Sequence, residues 1–189
     1  VNDEQAGITY DATVYTVTVE VEDAGNGTLT VTATDNAKAL DFTNTYAAEG
    51  EITFSGTKTL TGKDLAGDDF SFELLNEDGT VIETVTNDAD GNFAFTAIEY
   101  NQYDVGSYAY TVQEVNDEQP GISYDSTICT MTVTVSDNGD GTLDVTADID
   151  HTALDFANTY TANGSVQFTG SKTLNGKELT GGEFSFELA

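Results

Sequence analysis

The sequence predicts an all-β protein made of tandem sandwich domains, and three observations carry that prediction. Short stretches rich in Val, Thr, Tyr and Phe alternate apolar and polar residues with a period of two, as half-buried strands do. Turn signals such as NDADG (87–91) and DNGDG (137–141) separate them. The whole pattern then returns after 114 residues.

The repeat governs the organisation. VNDEQAGITYDAT at Val1 returns as VNDEQPGISYDST at Val115, ALDFTNTY at Ala39 as ALDFANTY at Ala153, and FSGTKTLTGKDL at Phe54 as FTGSKTLNGKEL at Phe168. No insertion or deletion interrupts the overlap, and about 45 of its 75 positions are identical. A 114-residue period is the size of a single domain, so the units are beads in tandem and not thin solenoid turns. The chain divides into the C-terminal part of a first repeat (1–47), a complete immunoglobulin-like repeat (48–161) and the N-terminal part of a third (162–189). Val1 falls inside a repeat, so these residues read as a window on a longer array. The joint NTYAAEGEI leaves few residues between strand-like segments, which suggests a stiff, extended rod whose first partners are neighbouring repeats.

Composition narrows the function. The chain is 189 residues long and 38% hydrophobic, with 10 Phe and 9 Tyr, enough for a real core. No apolar run could span a bilayer, and no signal peptide, sorting or lipidation motif is visible. A net charge of −29 disfavours nucleic acid and anionic membranes as partners. It suits an exposed, crowded protein that must stay soluble. The single cysteine, Cys129, excludes a disulfide within the chain, and its parity with Met131, Val133 and Val135 places it in the core.

Within 48–161 the alternation gives eight strands. The first, 51–60, puts Ile52, Phe54, Gly56, Lys58 and Leu60 on one face. Phe70, Phe72 and Leu74 face inward from the second; 80–85 is the third; Phe93, Phe95 and Ala97 mark the fourth. The fifth, 107–115, has Tyr108, Tyr110, Val112 and Glu114 on one parity. The sixth, 126–135, and seventh, 142–148, flank the DNGDG turn. The eighth, 153–160, aligns Leu154, Phe156, Asn158 and Tyr160. Many short strands with a turn about every ten residues suggest an immunoglobulin-type sandwich. GKDLAGDD (62–69) has room for one helical turn.

Three of these strands carry a reactive side chain where the parity demands a hydrophobic one: Lys58, Glu114 and Asn158. Burying a lysine is costly unless it is neutral, paired or consumed chemically. The bland reading is a buried ion pair with a spectator amide, which is weak evidence of stability. The functional reading is that the three meet and react. An apolar site lowers a lysine's pKa and frees its amine as a nucleophile. A carboxylic acid with a raised pKa can donate a hydrogen bond to the amide oxygen and shuttle protons to departing ammonia. The product would be an amide bond between the Lys58 and Asn158 side chains, made once, with proximity supplying the acceleration.

Lysine in K-T-L-x-G-K-x-L (58–65), then F-S-F-E-L (70–74), Y-x-Y-x-V-x-E (108–114) and F-x-N-T-Y (156–160) resembles the isopeptide-linkage repeat of streptococcal backbone pilins. That resemblance implies a Cna B-type immunoglobulin-like fold with a self-formed Lys–Asn bond assisted by a glutamate. Lys58 would be the nucleophile, Glu114 the proton shuttle and Asn158 the electrophile, with no cofactor and no metal. It also implies an extracellular location on a cell surface, a Gram-positive cell wall, and copies of the chain joined in a filament. Asn44 and Lys172 match Asn158 and Lys58 in the partial flanking repeats, but their partners would lie before residue 1 and beyond residue 189. The wall-sorting and pilin-linking motifs are absent from the window.

The sequence thus predicts a structural repeat of a surface fibre, an adhesin stalk or pilus shaft, and not a turnover enzyme. The alternative is an adhesive module binding a host protein or glycan through an enlarged aromatic-bearing loop, for which IEYNQYDVGS (98–107) is the candidate. A third reading is a calcium-rigidified repeat, but NDADG and DNGDG lack the ligand spacing of a calcium loop and fall where hairpin turns are expected. His151 aligns with Ala37, which argues against a ligand or base. Lys38, Lys63 and Lys177 fall in turn-like, solvated segments.

Overall fold

The computed structural model describes residues 2–34 and 40–189. Its described residues form strands and turns without a helix. Before the central region lie β1 (Ile8–Thr9), β2 (Thr18–Asp23), β3 (Leu29–Thr34) and β4 (Thr45–Tyr46). The central region contains β5 (Glu49–Ile52), β6 (Ser55–Thr61), β7 (Ser71–Leu75), β8 (Val81–Thr86), β9 (Asn92–Ala94) and β10 (Ile98–Asn101). It continues with β11 (Gly106–Glu114), β12 (Ile122–Ser123), β13 (Ile128–Asp137), β14 (Leu143–Ala147) and β15 (Leu154–Tyr160).

Two sheets make the sandwich. One has five strands in the order β14-β13-β11-β7-β8, the other four in the order β12-β15-β6-β9, and β5 pairs with β10 beside them. The inward faces meet in a phenylalanine core: Phe72 from the first sheet stacks on Phe93 of the second at 3.9 Å and lies 5.3 Å from Phe156. Period-two alternation sets this up, since successive β13 residues read exposed and buried in turn from Thr130 to Val135.

The structure departs from the sequence expectations in four places. The stretch 51–60 is two strands, because the chain changes sheets at Thr53 and Phe54: β5 pairs with β10, while β6 pairs with β9 and β15. His151 braces that corner, its Nδ1 lying 2.8 Å from Thr53 O while its own carbonyl accepts the Ser55 N–H at 2.9 Å. Residues 62–69 hold no helical turn, because side chains take the backbone groups a helix would need: Asp69 accepts the Ala66 N–H at 2.8 Å and buried Asn87 donates to Ala66 O at 2.8 Å. The 98–107 stretch is mostly strand. Tyr100 is buried against Tyr110 with their hydroxyls 2.8 Å apart, and the remaining turn is closed by Asp104 on the Asn101 N–H, leaving Tyr103 as its exposed aromatic. The two-residue β12 carries too short a pattern to be read from sequence.

The flanks show what the central region supplies. Leu154 and Phe156 are 2% and 1% exposed, whereas their repeat counterparts Leu40 and Phe42 are 49% and 59% exposed. Phe54 and Phe72 are fully buried, whereas Phe168 and Phe186 are open. Equivalent residues are buried only where the facing sheet is present.

Candidate functional site

Strands β6 and β15 are parallel neighbours, with Phe156 opposite Lys58 and Asn158 opposite Leu60. Lys58 and Asn158 therefore share the inward face two positions out of register, close enough for long side chains to meet. Glycine permits the close approach. A Cβ on Gly56 would sit 1.8 Å from Leu154 O. The NDADG turn grips the same strand: Lys58 N donates to Gly91 O at 2.7 Å, and a Cβ on Gly91 (φ +89) would lie 2.3 Å from Lys58 O. Glu114 ends β11 in the facing sheet, opposite Phe72, and reaches across the sandwich.

The three side chains meet on one atom. Lys58 Nζ lies 2.7 Å from Glu114 Oε1, and Asn158 Nδ2 donates to that same oxygen at 2.8 Å. The lysine and glutamate side chains are 0% and 1% exposed, and the Lys58 amine sits 4.7 Å from the centre of the Phe70 ring. Lys58 Nζ approaches Oε1 outside hydrogen-bonding angles, and Glu114 Oε2 is buried without a partner among the described residues. Both groups are shut off from water, which penalises their charged forms. Burial is the main cause that pulls the Lys58 amine below its ordinary 10.5, opposed by the attraction of Glu114. Burial likewise pushes the Glu114 carboxyl above 4.5, opposed by Lys58. Both groups move toward their uncharged forms, a free amine beside a carboxylic acid.

The amide faces differ from the sequence expectation. Glu114 sits on the nitrogen of Asn158, not on its oxygen. Asn158 Oδ1 instead accepts the backbone N–H of Asp125 at 2.7 Å. Asp125 was not singled out by sequence reasoning. Its carboxylate accepts the N–H groups of Thr127 at 2.9 Å and Ala157 at 2.8 Å, so it ties its own loop to the residue preceding Asn158. The signal was present in the repeat as YDAT and YDST. In the first partial repeat Asp11 N donates to Asn44 Oδ1 at 3.0 Å and Asp11 Oδ2 accepts the Thr43 N–H at 2.8 Å, the same clamp. Asn44 itself is exposed, as is Lys172, whose amine lies 4.8 Å from the Phe184 ring as Lys58 does from Phe70.

The other candidates have local roles. Cys129 is half-buried against the core, and burial pushes its thiol up, away from nucleophilic thiolate. Asp88 and Asp140 spend carboxylate oxygens on turn N–H groups of Asn92 and Thr142. No cluster of His, Cys, Asp and Glu suited to a metal occurs among the described residues. Lys63 is exposed, Lys177 pairs with Glu183 at the surface, and Lys38 lies outside the described residues.

A family model, FctA, described as a Spy0128-like isopeptide containing domain, matches residues 1–47 and 54–161. The chain belongs to the FctA family. The longer matched stretch of this FctA chain contains Lys58, Glu114, Asp125 and Asn158, and the shorter one contains Asp11 and Asn44. Comparison with curated proteins gives no match.

Proposed function

We propose that residues 48–161 form one complete repeat of an extracellular surface fibre, stiffened by a self-formed isopeptide bond between Lys58 and Asn158. The observation that carries this reading is that the Lys58 amine and the Asn158 amide nitrogen both touch the buried Oε1 of Glu114. The neutral amine attacks Cγ of Asn158. The Asp125 N–H, aimed at Oδ1, stabilises the charge that develops on that oxygen. Glu114, starting as the acid, delivers its proton to Nδ2 and takes one from the attacking nitrogen. The Cγ–Nζ bond forms, the Cγ–Nδ2 bond breaks and ammonia leaves. Glu114 ends as it began, and the reaction runs once per unit, without turnover or cofactor.

The bond would close a loop of the whole sandwich between adjacent strands near its entry and exit. By the loop-entropy relation that is worth about 5 kcal/mol. Tension entering through β5 and leaving after β15 would pass from β6 to β15 through the bond and bypass the core. Membership of an isopeptide-containing family supports a shaft or stalk role at a Gram-positive surface, with other copies as filament partners. The tight turn at 101–104 favours this reading over an adhesive one, which looks to an enlarged loop there. Single-molecule stretching tests the proposal. The wild-type central unit should show no release of the chain between residues 58 and 158, and Glu114→Gln should release it. Release in the wild type contradicts the proposal.

A further inference from the structure

The DNGDG turn was singled out in the sequence and is not used by the cross-link. It leaves β13 and enters β14 beside the first partial repeat. The Tyr46 hydroxyl donates to Asp137 Oδ1 at 2.6 Å, and Glu49 N donates to Gly141 O at 3.3 Å. Gly7 and Gly141 pack backbone to backbone: a Cβ on Gly141 would lie 2.8 Å from Gly7 Cα, and one on Gly7 would lie 2.7 Å from Gly141 Cα. A hairpin turn alone does not require this. Gly139, in the same turn and also at positive φ, has open space at its Cβ position.

Both halves of this contact recur in the period. Asp23, Gly25 and Gly27 repeat Asp137, Gly139 and Gly141, and Gly7 and Tyr46 repeat as Gly121 and Tyr160. The receiving side is built identically each time. Ile8 pairs with Tyr46 as Ile122 pairs with Tyr160, and Ala47 N bonds Gly7 O at 2.9 Å as Thr161 N bonds Gly121 O at 2.8 Å.

We propose that the Asp137–Gly141 turn is a plug that locks each repeat onto the Gly7–Tyr46 socket of the repeat before it, and that Gly121 and Tyr160 form the same socket for the Asp-x-Gly-x-Gly turn of a further repeat. Every unit then carries one plug and one socket at opposite ends, a head-to-tail arrangement that fixes the angle between neighbours and propagates along an array. The linker contributes directly, because Glu49 bonds the plug while Ala48 N is held by Gln102 at 3.2 Å. The proposal rests on the repeat organisation and not on the cross-link, so either can fail alone.

Amide NMR on the 189-residue chain tests it. In the wild type, β1 and β4 should reorient together with the central core. Tyr46→Phe should make the Glu49 amide exchange at least about tenfold faster, the effect of losing a hydrogen bond to a charged acceptor. Gly141→Ala should do the same, whereas Gly139→Ala, which strains the turn without entering the socket, should not. Protection of the core amides reports that each variant stays folded. Independent reorientation of β1 and β4 in the wild type overturns the plug, as does equal behaviour of the two glycine variants or an unmoved Glu49 in Tyr46→Phe. Lengthening the chain by one period should shift the Gly121 and Tyr160 resonances toward those of Gly7 and Tyr46; unshifted resonances overturn the second socket.

Discussion

Lysine and glutamate in a protein core generally signal an ion pair, and burial shifts both Lys58 and Glu114 toward their uncharged forms. The unpartnered Glu114 Oε2 offers little to a charged carboxylate, while the Phe70 ring 4.7 Å from the Lys58 amine gives the charged amine some support. The pH dependence of bond formation follows. Lys58 must lose its proton, so the rate rises as pH climbs through its lowered pKa, below 10.5. Glu114 must keep its proton, so the rate falls as pH climbs through its raised pKa, above 4.5. Following ammonia release from freshly refolded chain should give a bell-shaped pH dependence. Glu114→Gln keeps the shape but not the proton, and bond formation should slow by about 100- to 10,000-fold. Asp125→Ala should slow it less, because the N–H on Asn158 remains but its loop is no longer tied to Ala157. Lys58, Glu114 and Asn158 were legible because each breaks a hydrophobic parity. Asp125 was not, because it acts through its backbone and sits in a loop where aspartate is unremarkable.

At the scale of elements, the site depends on how closely β6 and β15 lie. Gly56→Ala would drive a methyl into Leu154 O, so it should part the two strands and leave a folded fraction uncross-linked, measured as the mixture of masses in the purified protein. Asn87 is the other element-level pin, accepting the buried Phe70 N–H at 2.9 Å and donating to Ala66 O at 2.8 Å from a buried side chain. Asn87→Ala should cost about 1–3 kcal/mol in chemical denaturation by orphaning the buried Phe70 N–H. Strand identity and facing were legible from alternation in β7, β11, β13 and β15. The corner at Thr53 was not, because the inward parity runs unbroken from Ile52 to Leu60 while the hydrogen-bonding partners change beneath it. Strand β10 was hidden because its Tyr100 reads as a loop aromatic until Tyr110 is seen to pair with it.

For the whole molecule, the repeat was the most legible feature, since it needs no structural assumption. Which strands face each other was not legible, because parity gives a face and not a partner; the parallel pairing of β6 with β15 emerges only from topology. Loss of the cross-link should lower stability by about 5 kcal/mol, seen as a large drop in melting temperature between wild type and Glu114→Gln. The most direct measurement is the mass of the intact protein followed by peptide mapping. A Lys58–Asn158 bond predicts a wild-type mass lower by one ammonia than the sequence requires, a branched peptide joining residues 58 and 158, and the full mass in Asn158→Ala. A folded wild-type chain carrying the full sequence mass, with both residues recovered in linear peptides, would contradict it.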